Sequence, residues 1–212
     1  PIIGLTMGDP NGIGPEIIVK ALTKLNSCLD WHPVIFGDAW IFEQVINKLG
    51  SNLQLRVCEN LAELTGGPCI VDLKVHSGRN WNLGQVDAWG GESSFQFLKV
   101  AIEAALANQI DAITTAPISK TALHMAGHHF PGHTEILSAL SNGAPPIMML
   151  TVEGLRAVHV STHVSLRNAI EQLQPKRILE VAQVTHPPVC CMVFEIPRLA
   201  LPGLNPHAGE KG

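Results

Sequence analysis

The sequence predicts an α/β protein, a sheet covered by helices with some antiparallel pairing in the middle of the chain. Three observations carry this. Short apolar runs of strand character alternate with amphipathic stretches of helical period. Turns rich in Gly, Pro, Asp and Asn separate them. Of the 212 residues 46% are hydrophobic, enough to fill a sizeable core.

The elements follow in order. Pro1 to Met7 is a short apolar run, then a Gly/Asp/Pro/Asn turn leads into an amphipathic stretch from Pro15 to Leu25. Pro33 to Phe36 is a second strand, ended by Gly37-Asp38 and followed by a helical pattern from Ala39 to Leu49. Leu53 to Val57 and Cys69 to Leu73 read as strands around the Gly66-Gly67-Pro68 turn, and Ser93 to Ala107 as a long, alanine-rich helix. Asp111 to Ala116 is a strand running into a proline-containing loop. Ile147 to Val152 and Ala157 to Thr162 are two strands joined around Gly154, close enough for a hairpin, and Arg177 to Val184 is a helix. Ile196 to Pro202 has strand character again. No internal repeat or low-complexity linker interrupts this order, and the pattern divides into a first α/β domain over 1–125 and a second over 126–212.

Composition removes several function classes. Fourteen Lys plus Arg against 18 Asp plus Glu give a net charge of −4 and form no basic stripe, so nucleic acid is not an expected partner. Five cysteines, none in a Cys-x-x-Cys arrangement, predict reduced thiols in a cytoplasmic protein rather than a disulfide framework or a zinc ribbon. Gly, Pro or charge breaks every apolar run well short of the roughly 18 residues a membrane span needs.

Four motifs and a fifth near the end of the chain carry the chemistry. Gly8-Asp9-Pro10-Asn11-Gly12-Ile13-Gly14-Pro15-Glu16 joins the first strand to the first helix. Pro15 suits a first helical turn and Glu16 the positive end of the helix dipole. Ile17 stands where the dinucleotide fingerprint needs its third glycine, so the stretch reads equally as a tight turn or a ligand loop. Thr114-Thr115-Ala116-Pro117-Ile118-Ser119-Lys120 puts hydroxyls and a cation at the carboxyl end of a strand, which suits an anionic substrate. Its plain reading is a helix capped by Ser119 beside a solvated Lys120.

In Pro131-Gly132-His133-Thr134-Glu135, Thr134 is placed to cap a helix, with His133 beside free backbone N–H groups that would cradle a phosphate. His124, His128 and His129 read as surface residues. Read as a strand, Val158 to His163 sets His159, Ser161 and His163 on one face, with His163 at the end. Gly203-Leu204-Asn205-Pro206-His207-Ala208-Gly209-Glu210 is a rigid, polar loop that sets His207 at the carboxyl end of the strand before it. Two imidazoles at one sheet edge could share a divalent cation, which needs a third ligand.

Taken together, these five motifs in this order resemble the 4-hydroxythreonine-4-phosphate dehydrogenase family of vitamin B6 biosynthesis, over essentially the whole chain. The first motif is also similar to the Gly-Asp-Gly-Ile-Gly-Pro-Glu loop of isocitrate and isopropylmalate dehydrogenases, so the resemblance implies an α/β/α architecture of that kind, incomplete at the C-terminus of these 212 residues. It implies a homodimer with the active site at the interface, a small phosphorylated substrate, NAD or NADP, and a divalent metal (zinc, magnesium or cobalt). The family oxidises 4-phosphohydroxy-L-threonine, whose β-keto acid then loses CO2 to give 3-amino-2-oxopropyl phosphate. Carried over, His163 and His207 match metal ligands, and His133 and Thr134 match substrate-binding positions. No catalytic or cofactor-binding residue is assigned. Two departures stand out, Ser165 where the family usually has proline and Lys211 in place of a glycine. The alternatives are a paralogue oxidising a 4-phosphorylated tetronate, threonate or erythronate, and an inactive, truncated remnant.

Overall fold

The computed structural model describes residues 1–25, 30–58, 61, 67–76, 78–79, 81–141, 146–162, 164–192, 198–205 and 207, with the backbone alone for 187–192. Two compact units divide the chain, Pro1–Ala144 and Pro145–Gly212.

The first unit is built on five parallel strands: β1 (Ile2–Thr6), β2 (His32–Gly37), β3 (Arg56–Val57), β4 (Cys69–Asp72) and β5 (Ala112–Thr115). Their order in the sheet is β3-β4-β2-β1-β5. Pairing sets Ile2 opposite His32, Ile3 opposite Ala112 and Val34 opposite Cys69. Strand β2 is apolar at consecutive positions because both of its faces are covered, as parallel sheets require. Ile35 joins one cluster with Met7, Val19, Leu22, Phe42 and Phe97, while Val34 and Phe36 join another with Ala101 and Ile110.

Among the described residues, five α-helices accompany this sheet: α1 (Gly14–Leu25), α2 (Ala39–Leu49), α3 (Ala88–Leu106), α4 (Lys120–Met125) and α5 (His133–Leu140). Helix α1 turns Ile18, Val19 and Leu22 inward at helical spacing. Helix α2 begins at Asp38, whose carboxylate accepts from the Ile41 N–H at 3.1 Å, and ends at Gly50 in the left-handed conformation.

Several expected boundaries move, each for a physical reason. Helix α3 starts at Ala88, not Ser93. Asp87 caps it by accepting from the Gly90 N–H at 2.7 Å. The Gly90-Gly91 pair, which reads as a break, serves close packing instead: a Cβ on Gly91 would lie 2.0 Å from the Ala122 carbonyl oxygen. Of the strand expected over Leu53 to Val57, only Arg56 and Val57 pair, and Leu53 is buried in the core. The two compact units meet at 144 and 145, which puts α5 in the first of them. Helix α5 packs with α3 and α4 through Ile136 against Leu98, Ile102 and Leu123.

The expectation of reduced thiols throughout is corrected: Cys58 and Cys69 form a disulfide, with Cα atoms 5.8 Å apart. Parallel pairing of β3 with β4 brings these two cysteines side by side, a proximity that sequence spacing does not reveal.

The second unit holds an antiparallel hairpin, β6 (Met149–Val152) and β7 (Leu155–Val158), followed by α6 (Leu166–Gln172) and α7 (Pro175–Met192). Gly154, at φ 76°, makes the turn, and its position draws β7 two residues earlier than the apolar pattern indicates. Helix α6 was not expected. Ser165 caps it, accepting from the Asn168 N–H at 3.3 Å, which accounts for a serine at that position. Helix α7 is also longer than the Arg177 to Val184 pattern. No helix among the described residues is long and apolar enough to cross a membrane.

Candidate functional site

Because all five strands are parallel, every strand of the first unit ends at the same edge of the sheet. The chain runs from β1 outward to β2 on one side and later adds β5 on the other. The connections leaving β1 and β5 therefore diverge, and the crevice between two such strands is where open α/β sheets bind ligands. The loop after β1 and the loop after β5 are the first two motifs of the sequence.

These loops pack on each other. The Asp9 N–H donates to the Pro117 carbonyl at 3.0 Å, and the Gly12 N–H closes a tight turn on the Asp9 carbonyl at 2.9 Å. A Cβ on Gly8 would lie 2.3 Å from the Pro117 oxygen, and one on Gly14 would lie 2.0 Å from the Met7 oxygen. The glycines thus admit the chain's own backbone. At those two positions the first motif folds as a tight turn.

The segment before α3 closes over the same loop. Trp81 Nε1 donates to the Pro10 carbonyl at 2.9 Å, and the Gly84 N–H to the Asn11 carbonyl at 2.7 Å. Asn11 Nδ2 donates to Asp87 Oδ1 at 3.2 Å, and Asn11 Oδ1 is buried without a hydrogen-bond partner. Asp9, 5% exposed, accepts from the Asn11 N–H at 2.9 Å. Burial raises its carboxyl pKa above the ordinary value, the Asn11 N–H opposes that, and the nearby Asp87 carboxylate adds to it. This pairing of the buried Asp9 with the half-buried Asp87 was not singled out in the sequence. The signal available was the Asp87-x-x-Gly90 cap.

The third motif meets the second. The His133 ring hydrogen-bonds to the Ala116 carbonyl, burial lowers the imidazole pKa with that carbonyl working against it, and Nε2 is buried with no partner. Thr134 does not cap α5. The cap residue is Gly132, which has no side-chain bond to give, and Thr134 is the exposed second residue of the helix. The backbone N–H groups at this helix start are therefore not occupied by a capping side chain. Ser119 does cap α4, accepting from the Ala122 N–H at 3.2 Å, beside an exposed Lys120. His128 departs from the surface reading: it stacks on Phe95 at 3.7 Å and bonds to Glu92 Oε2 at 2.7 Å. Sequence reasoning also missed the stack of Trp40 on His76, with ring centroids 3.8 Å apart, since nothing local in the chain announces it.

In the second unit β7 stops at Val158, so His159 and Ser161 lie beyond the strand expected to carry them. The His159 N–H still donates to the Met148 carbonyl at 3.1 Å. His163 lies outside the described residues. His207 is exposed, its N–H donating to Asn205 Oδ1 at 3.0 Å, and no strand precedes it among residues 198–205. Among the described residues no group of three His, Cys, Asp or Glu side chains is placed to hold a metal ion.

Known proteins place this arrangement. The chain is 37% identical over 215 residues to the D-threonate 4-phosphate dehydrogenase of Cupriavidus necator, covering 100% of this chain and 64% of that protein. The protein of the same name from Salmonella typhimurium is 38% identical over 215 residues, with 99% and 65% covered. A crystal structure of a 4-hydroxythreonine-4-phosphate dehydrogenase from Burkholderia phymatum superposes with a TM-score of 0.90 at 36% identity, over 99% of this chain and 64% of that one. The chain thus spans slightly under two thirds of the length of these relatives. Residues 30–212 match the family described as pyridoxal phosphate biosynthetic protein PdxA, and to that family this chain belongs.

Proposed function

We propose that this protein is a dehydrogenase that oxidises the 3-hydroxyl of a 4-phosphorylated four-carbon acid with NAD or NADP, and that D-threonate 4-phosphate is its substrate. The observation that carries this is the name borne by the Cupriavidus necator and Salmonella typhimurium relatives. Oxidation at C3 places a ketone β to the carboxylate. Loss of CO2 then gives 3-hydroxy-2-oxopropyl phosphate. The second reading is 4-phosphohydroxy-L-threonine, favoured by the name of the Burkholderia phymatum structure, with 3-amino-2-oxopropyl phosphate as product.

In this proposal the substrate phosphate is met at the start of α5, where N–H groups lack a capping side chain and the exposed Thr134 adds a hydroxyl. His133 positions that helix start against the carboxyl edge through Ala116. His163 and His207 bind a divalent cation; their support is the motif resemblance. A cytoplasmic homodimer with the site at its interface belongs to the same reading. The deciding experiment follows NADH or NADPH formation by the protein, with a divalent cation present, on each of the two substrates. Turnover of D-threonate 4-phosphate well above that of 4-phosphohydroxy-L-threonine is expected. The reverse preference would establish the second reading, and turnover of neither would end both.

A further inference from the structure

The parallel sheet of the first unit ends in its weakest member. Strand β3 is two residues long and pairs with β4 alone. Two backbone bonds flank it, from the Arg56 N–H to the Pro68 carbonyl at 3.4 Å and from the Cys58 N–H to the Ile70 carbonyl at 2.7 Å. Both side chains of the pair, Arg56 and Val57, are exposed, so burial adds little to hold them. Strand β4, in contrast, is anchored. Cys69 is 1% exposed within the cluster that holds Val34, Phe36, Ala101 and Ile110, and Cys58 packs partly buried against that cluster. The covalent link between Cys58 and Cys69 therefore joins the least supported strand of the sheet to its core.

We propose that the Cys58–Cys69 bond is a reversible thiol–disulfide staple that determines whether β3 stays on the sheet. The bond forms by exchange with a low-molecular-weight disulfide, RSSR. The Cys58 thiolate, the less buried of the two, attacks one sulfur, giving Cys58–S–SR and releasing RS⁻. The Cys69 thiolate then displaces the second RS⁻ from Cys58. Two protein thiols are oxidised by two electrons in all, and RSSR is reduced to two RSH, which carry away the two protons. The reverse exchange, driven by a dithiol, opens the staple. Once it is open, no covalent link holds the two-residue strand to β4, and release of β3 from its short ladder would leave the outer edge of β4 to water.

The test uses the whole chain, equilibrated with oxidised glutathione or with reduced dithiothreitol. Under unreduced denaturing conditions the oxidised sample should titrate three thiols, the five of the sequence less the pair, and the reduced sample five. Peptide mapping should join Cys58 to Cys69. Hydrogen exchange should show the Cys58 amide losing protection by about tenfold or more on reduction, while amides of β1 and β2 keep theirs. Wild-type protein supplies that comparison, so it does not depend on a variant folding. The Cys58→Ser protein should exchange fast in both conditions. Five thiols in both samples, a bridge to any other cysteine, or equal protection of Cys58 in both states would overturn the proposal.

Discussion

For Asp9, ionisation comes at a cost that the loop relieves only in part. The carboxylate is almost wholly buried, one N–H reaches it from Asn11, and Asp87 stands close enough to oppose its ionisation. A carboxyl whose pKa is raised in the folded chain contributes stability that is complete below the unfolded value and is lost as pH climbs through the folded one. Asp9→Asn removes the charge and keeps the acceptor for the Asn11 N–H. This protein should therefore melt higher than the wild type at pH 7, with the difference closing as the pH falls below the carboxylate range. Thermal melts of the two proteins across pH check it, and parallel curves would show that Asp9 is not ionised against resistance. Gly91 makes the opposite case, a residue whose value is its lack of a side chain. Gly91→Ala should destabilise by about 1–3 kcal/mol, because the added methyl meets the Ala122 carbonyl rather than a yielding side chain. Denaturant unfolding measures this directly. Neither residue was legible as such in the sequence: burial of Asp9 and contact at Gly91 both depend on segments far along the chain.

At the scale of elements, the local signals that the sequence did display were caps and apolar period. Ser119 caps α4 as its position indicated, Asp38 caps α2 although it was read only as a strand end, and α1 buries the face its spacing marks. The beginning of α3 and the whole of α6 were missed for different reasons. Gly90-Gly91 reads as a break, and a seven-residue helix such as α6 has too short a period to stand out. The hairpin was visible through Gly154, but its register was set by the turn and not by the apolar run. Ser119→Ala should lower stability by about 1 kcal/mol through the freed Ala122 N–H, and it should leave α5 unaffected. At α5 the uncapped start predicts a ligand effect instead. Thr134→Ala should weaken binding of a phosphorylated substrate with little change in melting temperature, since the side chain is exposed and caps nothing. Calorimetric titration with the phosphorylated acid decides between these outcomes, and unchanged affinity would remove Thr134 from the site.

For the molecule as a whole, the sheet and its carboxyl edge were legible because strand-to-loop succession follows from local chemistry. The strand order was not, because pairing of β1 with both β2 and β5 is settled by long-range packing. The first three motifs converge in the Pro1–Ala144 unit, where the loops after β1 and β5 meet and His133 touches Ala116. The two histidines read as metal ligands belong to the other unit, and His207 is exposed there in a turn closed by Asn205. An exposed imidazole in such a turn adds nothing to a core, and its replacement should remove a donor from any bound cation. Chelation of divalent metal should abolish turnover of the phosphorylated acid, and readdition of the cation should restore it. His207→Ala should require a higher cation concentration for the same rate. Titration of activity and of direct metal binding against cation concentration separates the two effects. Full turnover after chelation would remove the cation from the reaction, whereas a His207→Ala protein with wild-type cation affinity would take His207 out of the metal site and leave the cation to other residues.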